Sequence, residues 1–378
     1  MIIRKFKKPI YIDFSLTPYC NLKCGFCYAS ACGRRKKEEY LSLEDFERIF
    51  KEMDELEILR VGFEGGEPFL RNDIIDILKL ADKHNFTYFI NSNATLITDK
   101  IAEQLSQTDV DKICVSIDGP NSEINDKSRG VSGAFEQTYK GVKNLLNHNV
   151  KVDGVLTLSN INKDYVVETF EYMKSIGINN AVIMLLASVG SNDIAKEYNL
   201  SFEDWSKVLL MLTDLKKKNQ LPVDLSIVPP GEGYCSWELF LPLLINNRAD
   251  DIKYWKNENI STTLDENDYG CTACKDNLCI DGYGDVYGCS MMISIPELKC
   301  GNVKEQSLVD IWYNSDVLSN IKKSDMNKIK GKCKECRILD KCKGGCRACA
   351  FQIRGDFDDS DPRCPIAKGE IDLNGNKN

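Results

Sequence analysis

The sequence predicts an α/β protein in which a parallel sheet covered by helices is followed by a small cysteine-rich module. Two observations carry this. Over the first two-thirds of the chain, six apolar, β-branched runs alternate with amphipathic helical stretches. Strands separated by helices run parallel, which gives either a barrel or a doubly wound sheet. The seventeen cysteines are also unevenly placed: between Cys32 and Cys271 only Cys114 and Cys235 occur, whereas eleven lie from Cys271 to Cys364. At 378 residues the chain is long enough for two domains.

The strands are read at "IYIDFSL" (10–16), "LRVGFEGG" (59–66), "FTYFINSN" (86–93), "KICVSIDG" (112–119), "KVDGVLTL" (151–158) and "NAVIMLLAS" (180–188). Between them helical periodicity covers 43–57, 72–84, 98–106, 132–148 and 163–176. The first of these opens with Ser42 as a cap and an acidic first turn, and sets Leu43, Phe46, Ile49, Phe50 and Met53 on one face. A further helix at 202–218 is followed by the Pro-Gly break "VPPGEG" and a polar stretch, 246–270. The expected division is a barrel-type domain over 1–235, a bridging region over 236–270 and a cysteine-rich domain over 271–378.

Composition excludes several classes. With 49 basic against 57 acidic residues and a net charge of −8, nothing marks a phosphate backbone as partner. The short mixed run "GRRKKEE" reads as a solvated loop. The N-terminal "MIIRKFKKPIYIDF" lacks the apolar core of a signal peptide, and no stretch is apolar enough to span a membrane. A cytoplasmic protein is expected, with no nucleic-acid or membrane partner. In a reducing compartment this many cysteines points to metal or redox chemistry rather than disulfides. His84 and His148 fall in helical stretches beside polar residues, and neither is read as catalytic.

The segment "TPYCNLKCGFCYAS" (17–30) places Cys20, Cys24 and Cys27 as C-x3-C-x2-C just after the first strand. Ligands bind at that end of parallel strands. Three thiolates round a four-iron cluster leave one iron without a protein ligand, an open position suited to catalysis. A zinc site completed by Cys32, or plain core cysteines, would use the same residues. Further segments decide between these readings. Phe26 precedes the third cysteine and Tyr28 follows it. "EGGEP" (64–68) ends the second strand, "NSNATL" (91–96) the third, and "SIDGP" (116–120) the fourth, with Arg129 beyond it in "SRGVSGAF". Together these resemble the radical S-adenosylmethionine (SAM) superfamily. The resemblance covers roughly residues 10–190 and implies a partial (β/α)6 TIM-like barrel. It implies that Cys20, Cys24 and Cys27 hold a [4Fe–4S] cluster whose missing ligand is SAM. Glu67 would bind the methionyl amine, Arg129 its carboxylate, and Ser116 other polar groups, with Tyr28, Gly65, Gly66 and Asn93 also lining the cofactor site. Ala94 stands where the third-strand segment usually has glycine. Reductive cleavage of SAM would give a 5′-deoxyadenosyl radical that abstracts hydrogen from an unactivated C–H bond.

The last third holds Cys274-x9-Gly284-x4-Cys289, then Cys333-x2-Cys336-x5-Cys342-x3-Cys346, then Cys364. "IDGYGDVYGC" reads as a hairpin. This pattern resembles the SPASM domain, an extension with two auxiliary [4Fe–4S] clusters, against the alternative of zinc ribbons. The signature supplies seven thiolates where two clusters need eight, and Cys271 is the first candidate for the eighth, with Cys279 the competitor. By resemblance, Cys271, Cys274, Cys289 and Cys346 hold one cluster, and Cys333, Cys336, Cys342 and Cys364 the other. Cys114 reads as core packing, while Cys32, Cys235, Cys300 and Cys349 are unassigned.

Sulfatase-maturing enzymes of this kind carry an aspartate base directly after the cysteine matched to Cys289. Here Ser290 stands there, followed by Met291 and Met292, so formylglycine formation is demoted and the catalytic base is left unknown. The expected substrate is a ribosomally made peptide, crosslinked or epimerised. A haem-pathway or other cofactor-synthesis enzyme is the alternative, and a non-enzymatic electron carrier explains the cysteines but not the G-G-E strand end. Related peptide enzymes often begin with a peptide-binding winged helix. With the first strand near residue 10, no such domain is expected before the barrel, so recruitment would fall to a separate recognition protein or an edge strand. An external donor of flavodoxin or ferredoxin type would supply electrons.

Overall fold

The computed structural model describes residues 8–27, 29, 39–186, 196–228, 237–255 and 267–372. Tyr28, Cys32 and Cys235 lie outside these residues, as do most of the Pro-Gly break and residues 256–266 of the bridging stretch.

The six expected strands form: β1 (Tyr11–Ser15), β2 (Arg60–Glu64), β3 (Thr87–Ser92), β4 (Ile113–Ser116), β5 (Val152–Leu158) and β6 (Asn180–Leu185). They lie side by side in sequence order and all parallel, followed by an unexpected seventh, β7 (Asp224–Val228). The helices between them are α1 (Leu43–Glu55), α2 (Ile74–Ala81), α3 (Asp99–Leu105), α4 (Ser122–Arg129), α5 (Ala134–Asn147), α6 (Val166–Ser175) and α7 (Phe202–Lys217). Of these, α4 was not foreseen, being polar and only eight residues long. The Ser42 cap is borne out as a full capping box with Asp45. Phe46, Ile49, Phe50 and Met53 are buried, but Leu43 is 39% exposed, because its first-turn position turns it away from the sheet.

Strand alternation divides the sheet into two faces. Ile12, Phe14, Val61, Phe63, Tyr88 and Ile90 are buried beneath the helices. Phe14 lies 5.1 Å from Phe46 and Phe50 lies 5.3 Å from Phe86, ring to ring. Each such ring contributes about 1.5–3 kcal/mol by leaving water. On the opposite, inner face β1–β3 present the polar Tyr11, Asp13, Ser15, Glu64 and Asn91 together with Phe89.

The cysteine-rich region begins with the expected hairpin: β8 (Asn277–Asp281) runs antiparallel to β9 (Asp285–Tyr287), and the short β10 (Gly301–Asn302) follows. No local motif marks where β8 docks. It pairs in parallel with β1 over five residues, from Tyr11 opposite Asn277 to Ser15 opposite Asp281. One ten-stranded sheet therefore runs through both parts of the chain. The bridging residues form α8 (Trp237–Ile245), which packs between α7 and the helical turn Leu339–Cys342. Among the described residues no helix is long and apolar enough to cross a membrane.

Candidate active site

The loop that carries Cys20, Cys24 and Cys27 leaves the C-terminal end of β1 and is fastened by the segment after β2. Gly66 N–H donates to Thr17 O (2.5 Å) and Glu67 N–H to Tyr19 O (2.8 Å). A Cβ on Gly66 would sit 2.0 Å from the Tyr19 carbonyl oxygen, and one on Gly65, at φ +139°, 2.6 Å from that of Thr17. The two glycines thus admit the backbone of the cysteine loop itself, a partner that the sequence did not reveal. From the other side, Lys23 N–H donates to Arg129 O (3.1 Å). Within the loop the Cys27 N–H donates to Cys24 O (3.2 Å), and Cys20 is the exposed member of the three.

Glu67 is 1% exposed. Its Oε1 accepts from Ser92 Oγ (2.8 Å) and Phe69 N–H (3.2 Å), and its Oε2 from Asn93 N–H (2.8 Å). A carboxylate offers about four acceptor positions, so one remains on Oε2. Burial pushes its pKa up to about 7 despite these donors. Asn93 donates through Nδ2 to Asn21 Oδ1 (3.0 Å) and lies 3.8 Å from Cys20 Sγ, while its Oδ1 accepts from Thr95. Its side chain orients the cysteine loop. Ser116 closes β4 and is half-buried.

Arg129 ends α4 and is 7% exposed. Its Nη2 pairs with Asp118 Oδ1 (2.8 Å), its Nη1 lies 4.0 Å from Cys24 Sγ, and its guanidinium stands 5.8 Å above the Phe26 ring. Asp118 is itself fixed by Ser128 Oγ (2.6 Å) and Thr157 N–H (2.9 Å). The Arg129 Nε is buried without a hydrogen-bond partner among the described residues. An unused cationic donor and an unused carboxylate lone pair therefore flank the cysteine loop. They fit the carboxylate and the amine of an amino acid such as the methionyl part of SAM.

Of the expected auxiliary ligands, Cys333, Cys336, Cys342 and Cys364 line one cavity together with Trp237 and Ile338. Burial raises the Cys271 and Cys289 thiols, Cys346 adds to both, and Cys271 adds to the rise of Cys289. Cys274 hydrogen bonds to Cys300 and also feels Cys289 and Cys271. Cys279 lies on β8 opposite Asp13, and Cys289 also adds to the rise of its thiol. The unassigned Cys349 hydrogen bonds to Cys346, and Cys114 is buried as expected. Among the described residues no three His, Cys, Asp or Glu side chains converge on a single metal ion. Thiolates round a multi-atom cluster stand farther apart than the four on one zinc.

The inner wall adds groups that sequence reasoning missed. Asp13 is 8% exposed, accepts from the Tyr11 hydroxyl (2.5 Å) and hydrogen bonds to Ser290. Burial, with neighbouring Glu64 adding to it, pushes Asp13 well above the ordinary carboxylate range. Glu64 accepts from Asn91 Nδ2 (3.2 Å). An aspartate in the strand "YIDFS" was the only available signal. His84 and His148 pair with Asp54 (2.7 Å) and Asp99 (2.9 Å), at a distance from the cysteine loops.

A loop of three cysteines at the C-terminal mouth of parallel strands, with a second cysteine-rich module joined to the first strand, suits iron–sulfur clusters held by thiolates. Residues 14–173 match the radical SAM superfamily and residues 271–337 the SPASM iron–sulfur cluster-binding domain. The chain thus carries a radical SAM domain followed by a SPASM domain, and it is an enzyme. Among curated proteins it is 27% identical to an AdoMet-dependent heme synthase of Methanosarcina barkeri, over 96% of this chain and 98% of that one. It is 25% identical to the mycofactocin maturase MftC of Mycolicibacterium smegmatis, over 94% and 82%. Among solved structures, Streptococcus suis SuiB bound to S-adenosylmethionine superposes with a TM-score of 0.73 at 22% identity, covering 95% of this chain and 77% of that one. The partial TIM-like barrel is therefore shared with known radical SAM enzymes.

Proposed function

We propose that the enzyme modifies a ribosomally made peptide, abstracting hydrogen from one residue and installing a crosslink or an inverted centre. The observation that carries this reading is the acidic inner wall. Asp13 and Glu64 stand side by side on the inner face of β1 and β2, and their oxygens offer acceptors to the backbone or side-chain N–H groups of a peptide. The similarity to MftC, and the likeness in fold to SuiB solved with its precursor peptide SuiA, are consistent with it. The second reading, a tetrapyrrole substrate, is favoured by the near-complete overlap with heme synthases.

In this proposal Cys20, Cys24 and Cys27 hold the first of three [4Fe–4S] clusters. Glu67 Oε2 accepts from the SAM amine, Arg129 Nε donates to its carboxylate, and Gly65, Gly66, Asn93, Ser116 and Tyr28 complete the surroundings. Bound SAM supplies the hydrogen-abstracting radical; the protein positions it and keeps water away. Cys271, Cys274, Cys289 and Cys346 hold one auxiliary cluster, and Cys333, Cys336, Cys342 and Cys364 the other. Asp13, joined to Ser290, is the carboxylate that takes up the proton released as the new bond forms. A flavodoxin- or ferredoxin-type donor supplies electrons, and a separate recognition protein or strand addition delivers the peptide.

The test is anaerobic incubation of reconstituted enzyme, SAM and reductant with the short peptide encoded beside its gene, and in parallel with iron-coproporphyrin. The expected result is a peptide about 2 Da lighter, with fragmentation locating a new inter-residue bond, since two hydrogens leave on crosslinking. Unchanged mass with deuterium uptake from heavy water marks epimerisation. Decarboxylation of the porphyrin with the peptide untouched overturns the reading.

A further inference from the structure

We infer that Asp361 and Arg363 form a charged strut that joins the two auxiliary cluster sites and sets the reduction potential of both. The inference rests on the two-cluster assignment proposed above. Asp361 is 1% exposed. Its Oδ2 accepts from the backbone N–H of Cys346 (2.8 Å), and its own backbone carbonyl accepts from the N–H of Cys364 (3.1 Å). Cys346 belongs to one ligand set and Cys364 to the other, so a single residue grips a ligand of each. Gly345 makes the approach possible: it has φ +75°, and a Cβ there would lie 2.7 Å from Asp361 Oδ2. This gives the second glycine of "DKCKGGC" a structural reason.

Arg363 completes the strut. It reaches Asp361 through Nε (3.1 Å) and Nη2 (2.8 Å), and through Nη1 it meets Glu238 Oε1 on α8 (2.8 Å). Trp237, also on α8, donates its indole N–H to Asp361 Oδ2 (3.2 Å). The guanidinium acts electrostatically on the thiols of Cys346 and Cys349, and it is bonded through the chain to Cys364. One fixed positive charge thus adjoins both cluster loops, and the barrel-side helix α8 holds it in place.

Packing alone does not call for charges here, because well-packed apolar side chains stabilise such a site as well or better. Their effect on an electron-accepting neighbour is the distinguishing property. Reducing a cluster adds negative charge, so a nearby cation favours the reduced form and an anion opposes it, more strongly in a poorly polarisable interior. Asp361 and Arg363 are positioning residues that act through the cluster ligands and touch no substrate.

The experiment is an EPR-monitored redox titration of the reconstituted full chain, with iron content measured alongside. R363Q is expected to lower both auxiliary midpoint potentials and D361N to raise both. R363K, which keeps the charge, is expected to stay near the wild-type values. Opposite signs from the two neutralising variants are the signature of charge, since a merely loosened fold has no reason to give them. Two auxiliary signals that do not move, that move at one cluster only, or that move the same way in R363Q and D361N overturn the strut alone. A single auxiliary signal in the wild type overturns it together with the two-cluster assignment. Should R363Q lose iron, D361N decides: a rise at both clusters upholds the strut, and its absence removes it.

Discussion

Glu67 shows how one buried side chain is kept ready for a ligand. Three donors hold its carboxylate, yet burial still raises its pKa to about 7. The SAM-free site is therefore partly protonated near neutrality. Below that value the carboxylate loses its charge and becomes a weaker acceptor, so SAM affinity is expected to fall as the pH drops from 7 to 6. The fall reaches at most about tenfold per unit. Glu67→Gln should bind SAM about ten- to a hundredfold more weakly at pH 7.5, as expected for losing a hydrogen bond to a charged group. It should also lose the pH dependence, and calorimetric titration at several pH values measures both. Affinity in Glu67→Gln that still varies with pH as in the wild type would assign the titration to another group. Glu67 was legible because it ends a G-G-E turn after a strand. Asp13 was not, because an aspartate inside "YIDFSL" carries no mark of which face it occupies. Only the pairing of β1 between β2 and β8 makes that face an inner wall.

Among the elements, the cysteine loop depends on the turn after β2 more than on its own sequence. With the Gly66 Cβ position 2.0 Å from a backbone oxygen, Gly66→Ala cannot be accommodated by rotating a side chain, and the loop must lift away from Thr17 and Tyr19. The expected outcome is loss of the first cluster with the auxiliary clusters retained. After anaerobic reconstitution, iron should fall from about 12 per chain to about 8, the same as in a Cys20/Cys24/Cys27→Ala chain. Full iron content in Gly66→Ala would show that the loop has another support. The six strands with their helices were readable because apolar runs of the right length alternate with 3.6-residue periodicity. The strand β7 was missed because "DLSIV" is short and leads straight into a Pro-Gly break. Helix α4 was missed because three of its four buried residues, Asn125, Ser128 and Arg129, are polar and only Ile124 is apolar, which inverts the usual pattern.

At the scale of the whole molecule, the two sequence-defined parts share one sheet. No local signal announces that β8, more than 200 residues after β1 in the chain, will become its parallel neighbour, since parallel pairing is set by packing and not by a turn. The cysteine hairpin was legible; its dock was not. The consequence is mechanical. With β8 removed, β1 would present five residues of unpaired backbone beside the polar wall of Asp13 and Ser15, in addition to losing the bonds of Ile10 and Tyr11 N–H to Asp276 O (2.8 and 3.1 Å). At about 1 kcal/mol for each buried backbone hydrogen bond lost, this removes several kcal/mol, a large share of the 5–15 kcal/mol that holds an ordinary domain together. The barrel and the cluster module are therefore expected to unfold as one unit. Anaerobic heating followed by far-ultraviolet circular dichroism and by absorbance near 400 nm, about where iron–thiolate clusters absorb, should give coincident transitions. A variant that leaves the hairpin but abolishes an auxiliary cluster, Cys333→Ala with Cys336→Ala, should lower the midpoint by both probes together. Cluster bleaching well below a separate, unshifted loss of secondary structure would mean that the β1–β8 junction does not couple the two parts.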